Sequence, residues 1–173
     1  MERHLFGGSL GAAANLSLAI RAARPGDERL VLAFIRKLAE YEKLLDEVVA
    51  DEVLIGKSLF GLEPKVFCDI AEWSGEPAGF ALWFYNYSTF HARHGIYLED
   101  LFVEPHFRGQ GIGKALLKNL ARRCIDRGLT RLQWSVLTWN EPSILVYRAL
   151  GAEPLNEWTV FRVAGKALEE LAQ

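Results

Sequence analysis

A chain of 173 residues, half of them apolar and 12% aromatic, can bury the core of one ordinary domain and is too apolar to stay disordered. Its formal net charge of −2 argues against a nucleic-acid binder, which would carry a basic footprint. Cys68 and Cys124 lie far apart in no metal-ligand spacing; they fit a reducing, cytoplasmic setting, and no metal site is expected.

Residues 1–15 are read as a flexible extension, because Gly7, Gly8, Gly11 and Asn15 break what could otherwise pass for a signal peptide. No apolar run approaches the about 18 residues of a membrane span. Leu16 to Ala22 predicts a strand and "RPGD" (Arg24 to Asp27) a turn. Asp27 then caps a helix in which Leu30, Phe34, Leu38 and Tyr41 recur at helical spacing. A more polar helical or irregular stretch runs from Asp46 to Leu62. "KVFCDIAEWSGEPAGFALWFYNYST" splits at Ser74-Gly75-Glu76-Pro77 into two aromatic-rich strands, a hairpin pattern. "GIYLEDLFVEP" is a third strong strand. Gly111 to Arg127 is helical, with Leu116, Leu117, Leu120 and Cys124 on one face. "LTRLQWSVL" reads as a strand, and "NEPSILVYRALG" as a short helix with Asn140 near the cap and Pro142 in the first turn. "EWTVFRVAG" is expected to be a last strand, and residues 166–172 a short terminal helix. An early meander followed by alternating strands and helices describes an α/β (α+β) domain over residues 16–173, with helices on both faces of a mixed sheet.

Three alternating glycines, Gly109, Gly111 and Gly113, flanked by Arg108 and Lys114, join the third strong strand to the next helix. A P-loop is excluded: Ala115 follows Gly113-Lys114 where a magnesium-binding hydroxyl is required, and Arg108 stands where the first glycine belongs. A dinucleotide fingerprint is excluded by its wrong glycine spacing and its place deep in the chain. What remains is R-x-x-G-x-G at a helix N-terminus, where unpaired backbone N–H groups and glycine clearance favour a phosphate. Taken alone, such a cluster could also be a turn that merely starts a helix.

Arg108-Gly109-Gln110-Gly111-Ile112-Gly113 resembles the acetyl-CoA-binding motif of the GNAT N-acetyltransferase superfamily. "YLEDLFVEPHFRGQGIGKALLKNLA", "WNEPSILVYRALGA", "EWTVFR" and "IRKLAEYEKL" narrow the resemblance to the spermidine/spermine (diamine) and thialysine acetyltransferase branch, over about residues 18–170. The resemblance implies the GNAT fold, a mixed central sheet of six to seven strands with helices on both faces. It implies acetyl-CoA as cofactor, a small-molecule amine as acceptor, direct attack in a ternary complex, and a homodimer without nucleic-acid or membrane partners. Coenzyme A would lie on the main chain of Leu101, Phe102 and Val103, on Arg108, Gly109, Gln110, Gly111, Ile112, Gly113 and Lys114, and against Asn140, Glu141, Pro142, Ser143 and Tyr147. Tyr147 would be the acid that protonates the leaving thiolate, and Glu99 the group that takes the amine's proton, directly or through water. Tyr41, Glu42, Glu99, Asp100, Gln133, Trp134 and Ser135 would form the amine site.

Adjacent Glu99 and Asp100 face opposite sides of a regular strand, so both reach one cleft only across a β-bulge, which GNAT strands commonly carry here. Asp100 could equally serve as a structural hydrogen-bonding residue, and Glu42 as an exposed helix charge. "STFHARHG" brings Arg93 and two histidines close to the key strand, which weakens the expectation for a polycation and leaves thialysine, a lysine-like amino acid, another diamine or a different amine open. A protein lysine or N-terminal acetyltransferase and a non-catalytic acyl-CoA-binding module are the rival readings, since the fold alone does not fix the acceptor.

Overall fold

The structure is a computed structural model that describes residues 17–173; the extension expected over residues 1–15 lies outside the described residues. These residues form two compact units, one running to Ser135 and one from Val136 to Gln173. The first holds β1 (Leu18–Ala22), α1 (Glu28–Glu42), α2 (Glu52–Phe60), β2 (Phe67–Trp73), β3 (Glu76–Ser88), β4 (Arg93–Val103), α3 (Ile112–Asp126) and β5 (Leu132–Trp134). The second holds α4 (Glu141–Ala149) and α5 (Lys166–Leu171). No helix among the described residues is long and apolar enough to cross a membrane.

The five strands lie in sequence order, β1 to β4 antiparallel and β5 parallel to β4. Ser74 and Gly75, both at positive φ, close the β2–β3 hairpin in two residues, the turn whose twist matches its strands. Strand alternation then sorts the side chains. Cys68, Ile70, Phe80 and Phe102 bury one face against Val31, Leu32 and Phe34 of α1 and Ile55 and Leu59 of α2. Phe34 stacks on Phe80 with ring centroids 5.4 Å apart. Asp69, between Cys68 and Ile70, faces the other way and meets Asn119 and Arg123 of α3, so helices cover both faces. The apolar stripe of α3 that the spacing predicts, Leu116, Leu117, Leu120 and Cys124, is buried.

Three expectations are corrected. The sheet has five strands among the described residues, not six to seven: "EWTVFRVAG" forms no strand, and Trp158, Val160 and Phe161 stand 72%, 87% and 89% exposed. Strand propensity describes fit to a ladder and yields no strand where none is offered. The strand expected from "LTRLQWSVL" is only Leu132–Trp134. Asp27 sits at the α1 N-cap but does not cap it with its side chain; its carboxylate accepts from the Arg24 backbone N–H at 2.8 Å and the Arg21 guanidinium at 2.7 Å. A charged donor outcompetes a helix amide for that acceptor.

Candidate active site

β3 and β4 are out of step at one point. Leu82 faces Asp100 while Trp83 faces Leu98, so Glu99 is an extra residue on β4, a β-bulge. The parallel ladder to β5 ends at the same place: Ile96, Tyr97 and Leu98 face Leu132, Gln133 and Trp134, and no pairing to β5 continues beyond. A bulge sharpens the twist of its strand, and β4 runs on to Val103 paired only with β3. Its other edge, from Glu99 to Val103, thus keeps main-chain N–H and C=O groups that β5 does not use. The Phe102 side chain is buried beside Phe34, with ring centroids 6.0 Å apart, and since the Glu104 N–H bonds the Ala78 carbonyl, the main chain of Phe102 faces β3 while that of Leu101 and Val103 faces the open edge.

Beyond β4 the chain makes a short 3₁₀ turn, Pro105–Phe107, and enters the glycine stretch. Gly109 and Gly111 both have φ of +79°, a conformation that L side chains resist, and a Cβ at either would meet nothing within 4 Å. Both glycines stand immediately before α3, Gly111 as its N-cap residue. The first ladder bond of α3 runs from the Ala115 N–H to the Gly111 carbonyl at 2.9 Å, so the amides of Ile112, Gly113 and Lys114 precede it. Gln110 and Lys114 are exposed. The Arg108 Nε donates to the Val103 carbonyl at 3.0 Å, and its guanidinium lies over the rings of Tyr41, at 5.2 Å, and Phe102, at 5.8 Å. Arg108 therefore ties the end of α1 to the end of β4, a geometric task that its sequence position did not suggest.

The acidic residues gather on the α1 side. Asp100 lies on the face of Leu82, and Glu42 is the last residue of α1. Burial, and then the negative charges of Glu99 and Glu42, push the Asp100 carboxyl up to about 6. Burial also pushes Glu42 up. A buried carboxyl that feels two further carboxylates can attract an ammonium and hold a proton. A cleft of about 340 Å³ between the end of α1 and the end of β4 is lined by Lys37, Glu40, Tyr41, Phe102, Glu104 and Arg108 among others and by none of the three carboxylates Glu42, Glu99 and Asp100, and Lys37 ion-pairs with the buried Glu104. Sequence reading passed over that pair, although Lys37 precedes Tyr41 by one helical turn and so shares its face.

Gln133 of β5 accepts from the Asn86 side-chain amide at 3.3 Å, and Ser135, just past β5, shares a hydrogen bond with the Tyr97 hydroxyl at 2.7 Å. Trp134 stands opposite Leu98, beside the bulge. The structure thus gathers Tyr41, Glu42, Glu99 and Asp100 with the glycine stretch and β5 in the first unit. Tyr147 and Asn140 to Ser143 belong to the second. There the Asn140 side chain accepts from the Ser143 N–H and caps α4 behind Pro142. Ser143 and half-buried Tyr147 follow at i+3 and i+7 from Asn140 and share its helix face.

Residues 32–152 match the Acetyltransferase (GNAT) family. The thialysine N-epsilon-acetyltransferase of Bos taurus is 43% identical over 164 residues, covering 88% of this chain and 96% of that protein. The thialysine N-epsilon-acetyltransferase of Caenorhabditis elegans is 34% identical over 151 residues, covering 86% and 92%. Among solved structures, an integron cassette protein from the mobile metagenome of V. cholerae superposes with a TM-score of 0.76 at 25% identity, over 91% of this chain and 98% of that one. Bulged strand, glycine turn and family match agree: the chain is an acetyltransferase of the GNAT family.

Proposed function

We propose that this enzyme transfers the acetyl group of acetyl-CoA to the terminal primary amine of a small molecule, a lysine-like amino acid such as thialysine or a short diamine. The observation that carries the reading is the run from Glu99 to Lys114, which has a bulged acidic pair at one end and an amide cradle at the other. Relatives named thialysine N-epsilon-acetyltransferase, matched over nearly their whole length, support the acceptor class.

The residues present fit coenzyme A. Open space over Gly109 and Gly111 and the leading amides of α3 suit a pyrophosphate, and the β4 edge at Leu101 to Val103, which β5 does not pair, suits an amide-bearing arm. Arg108, Gln110 and Lys114 would border that cradle, with Asn140, Glu141, Pro142 and Ser143 as further contacts. The cofactor supplies an activated acyl carbon on a thioester.

The chain's own residues do the rest. An alkylamine is protonated near neutral pH, so its nitrogen must lose a proton before it can attack. Glu99 Oε takes that proton, directly or through water. Asp100 and Glu42 hold the cationic substrate, and Tyr41, Gln133, Trp134 and Ser135 bound its site. Main-chain N–H groups on the open β4 edge are the donors available to an acyl oxygen that gains charge. The Tyr147 hydroxyl holds the proton for a departing thiolate, since a phenol stays protonated where a thiol begins to ionise. The working form is a cytoplasmic homodimer of chains that each form one domain over residues 16–173, acting without nucleic acid or membrane.

A thiol-release assay with acetyl-CoA and a panel of thialysine, lysine, diaminopropane, spermidine and a lysine peptide tests the reading. Thialysine or a diamine is expected to turn over best, and Tyr147→Phe to lower kcat by about a hundredfold. Preference for the peptide, or no thiol release with any amine, would overturn it; unchanged turnover in Tyr147→Phe would remove Tyr147 as the acid.

A further inference from the structure

Asp69 is buried to 2% exposure on the α3 face of β2, and nothing in the proposed chemistry uses it. Its carboxylate accepts from the Trp83 indole N–H at 3.0 Å, the Asn119 amide at 3.3 Å and the Arg123 guanidinium at 3.1 Å. Burying a carboxylate is costly even when it is fully bonded, and apolar packing in its place is often as stable. Stability alone is therefore a weak reason for this group to be here. Of the three side chains it bonds, Trp83 is the one next to the bulge. Trp83 is 2% exposed, stacked on Phe67 at 4.6 Å, covered by Arg123 at 4.9 Å, and anchored at its polar end by Asp69.

Trp83 is also the β3 residue at which the register changes, with Leu98 opposite it and Glu99 looped out next in line. A one-residue slip of β3 against β4 would absorb Glu99 into a regular ladder, opposite Trp83 on the α3 face in the place of Leu98, and would turn Leu98 to the other face. An indole locked on that face by a buried acceptor keeps apolar Leu98 opposite it and would leave a carboxylate in that place buried against aromatic neighbours, which opposes the slip.

We infer that Asp69 is a positioning residue for Glu99: by holding the Trp83 indole on the α3 face, it pins the bulge that aims Glu99 at the amine. The inference rests on the acetyl-transfer reading for its kinetic consequence and on β3–β4 geometry alone for its structural one.

The test uses the full chain with Trp83→Phe, which keeps a ring and removes the N–H donor, together with Asp69→Leu and the double variant. Each single variant is expected to lower kcat for the amine about tenfold or more at saturating substrates, since small misplacements of a reacting group are costly in rate. The Kd for coenzyme A, measured by calorimetry, is expected to stay within about twofold, because the cradle is built elsewhere. The double variant should be no slower than the slower single one. The backbone amide resonances of Glu99 and Asp100 should move in Trp83→Phe. If Asp69→Leu does not fold, Trp83→Phe carries the test. Unchanged kcat, a parallel loss of coenzyme A affinity, or unmoved Glu99 and Asp100 resonances would each overturn the inference. A wild-type protein that turns over no amine refutes acetyl transfer instead, and the resonances then decide the positioning claim.

Discussion

Asp100 shows how one side chain can serve the site at the expense of the fold. Its carboxyl titrates at about 6 because burial and the charges of Glu99 and Glu42 oppose ionisation. The unfolded chain ionises earlier, near the ordinary aspartate value of about 4. Below that value both states are neutral, and the group is without consequence for stability. Above about 6, the folded protein holds in a partly buried place a charge that the unfolded chain leaves in water. Ionisation therefore destabilises the native state, and the penalty grows as pH rises through that window. Asp100→Asn is expected to stabilise the protein by about 1 to 3 kcal/mol at pH 8, with the gain fading toward pH 4. Denaturant unfolding at the two pH values checks this; a variant less stable than wild type at pH 8 would refute it. The same substitution should raise KM for the amine by removing a charge that attracts it. In the wild type, KM should likewise rise as pH falls through about 6.

At the scale of elements, the geometry around β4 rests on a close approach as well as on the bulge. Gly79 of β3 lies opposite Val103, and a Cβ there would come within 2.4 Å of the Phe102 carbonyl oxygen, a backbone atom with nowhere to go. Gly79→Ala is expected to push β4 outward, to destabilise the fold by about 2 kcal/mol or more, and to weaken coenzyme A binding through the displaced Leu101 to Val103 main chain. Thermal melts and calorimetry with coenzyme A check both parts. Gly111→Ala meets no neighbour but must adopt φ near +79°, so its cost of about 1 kcal/mol is purely conformational. In it, cofactor affinity should fall by more than the small loss of stability suggests, because the added methyl group enters the cradle. These elements also show what could be read in advance. The amphipathic stripe of α3, the β2–β3 hairpin and the Asn140 cap follow from spacing and turn chemistry within a few residues, so the sequence displays them. The carboxylate of Asp27 goes to Arg21, and Asp69 finds donors about fifty residues away on α3. Such partners are chosen by tertiary packing, and no local pattern announces them.

At the scale of the whole molecule, the two units differ in how fully the chain satisfies its own apolar residues. The first unit buries the α3 stripe that its periodicity promises and, of the α1 stripe, Phe34, with Leu30 and Leu38 half-buried and Tyr41 exposed. The second leaves Trp158, Val160 and Phe161 mostly exposed, and Leu145 and Leu171 at 62% and 74%. Apolar residues standing singly on a surface are ordinary, as are Val49, Leu62 and Phe90 of the first unit, whereas Trp158, Val160 and Phe161 lie within four positions of one another. The segment 158–163 has the composition of a strand without a ladder, and sequence reading failed there because a ladder depends on what lies beside it. A homodimer, the assembly that the family resemblance implies, would cover such residues twice over, since a two-fold interface uses the same patch on both subunits. Phe161→Glu would then place two charges in the interface and remove two aromatic contacts, each contact worth about 1.5–3 kcal/mol when fully buried. Sedimentation equilibrium at micromolar concentration should accordingly give twice the chain mass for the wild type. Phe161→Glu should raise the dimer dissociation constant by about a hundredfold or more, with the circular dichroism of the chain unchanged. A wild type that sediments as a monomer throughout would refute the dimer, and a Phe161→Glu protein that stays dimeric would place the interface elsewhere.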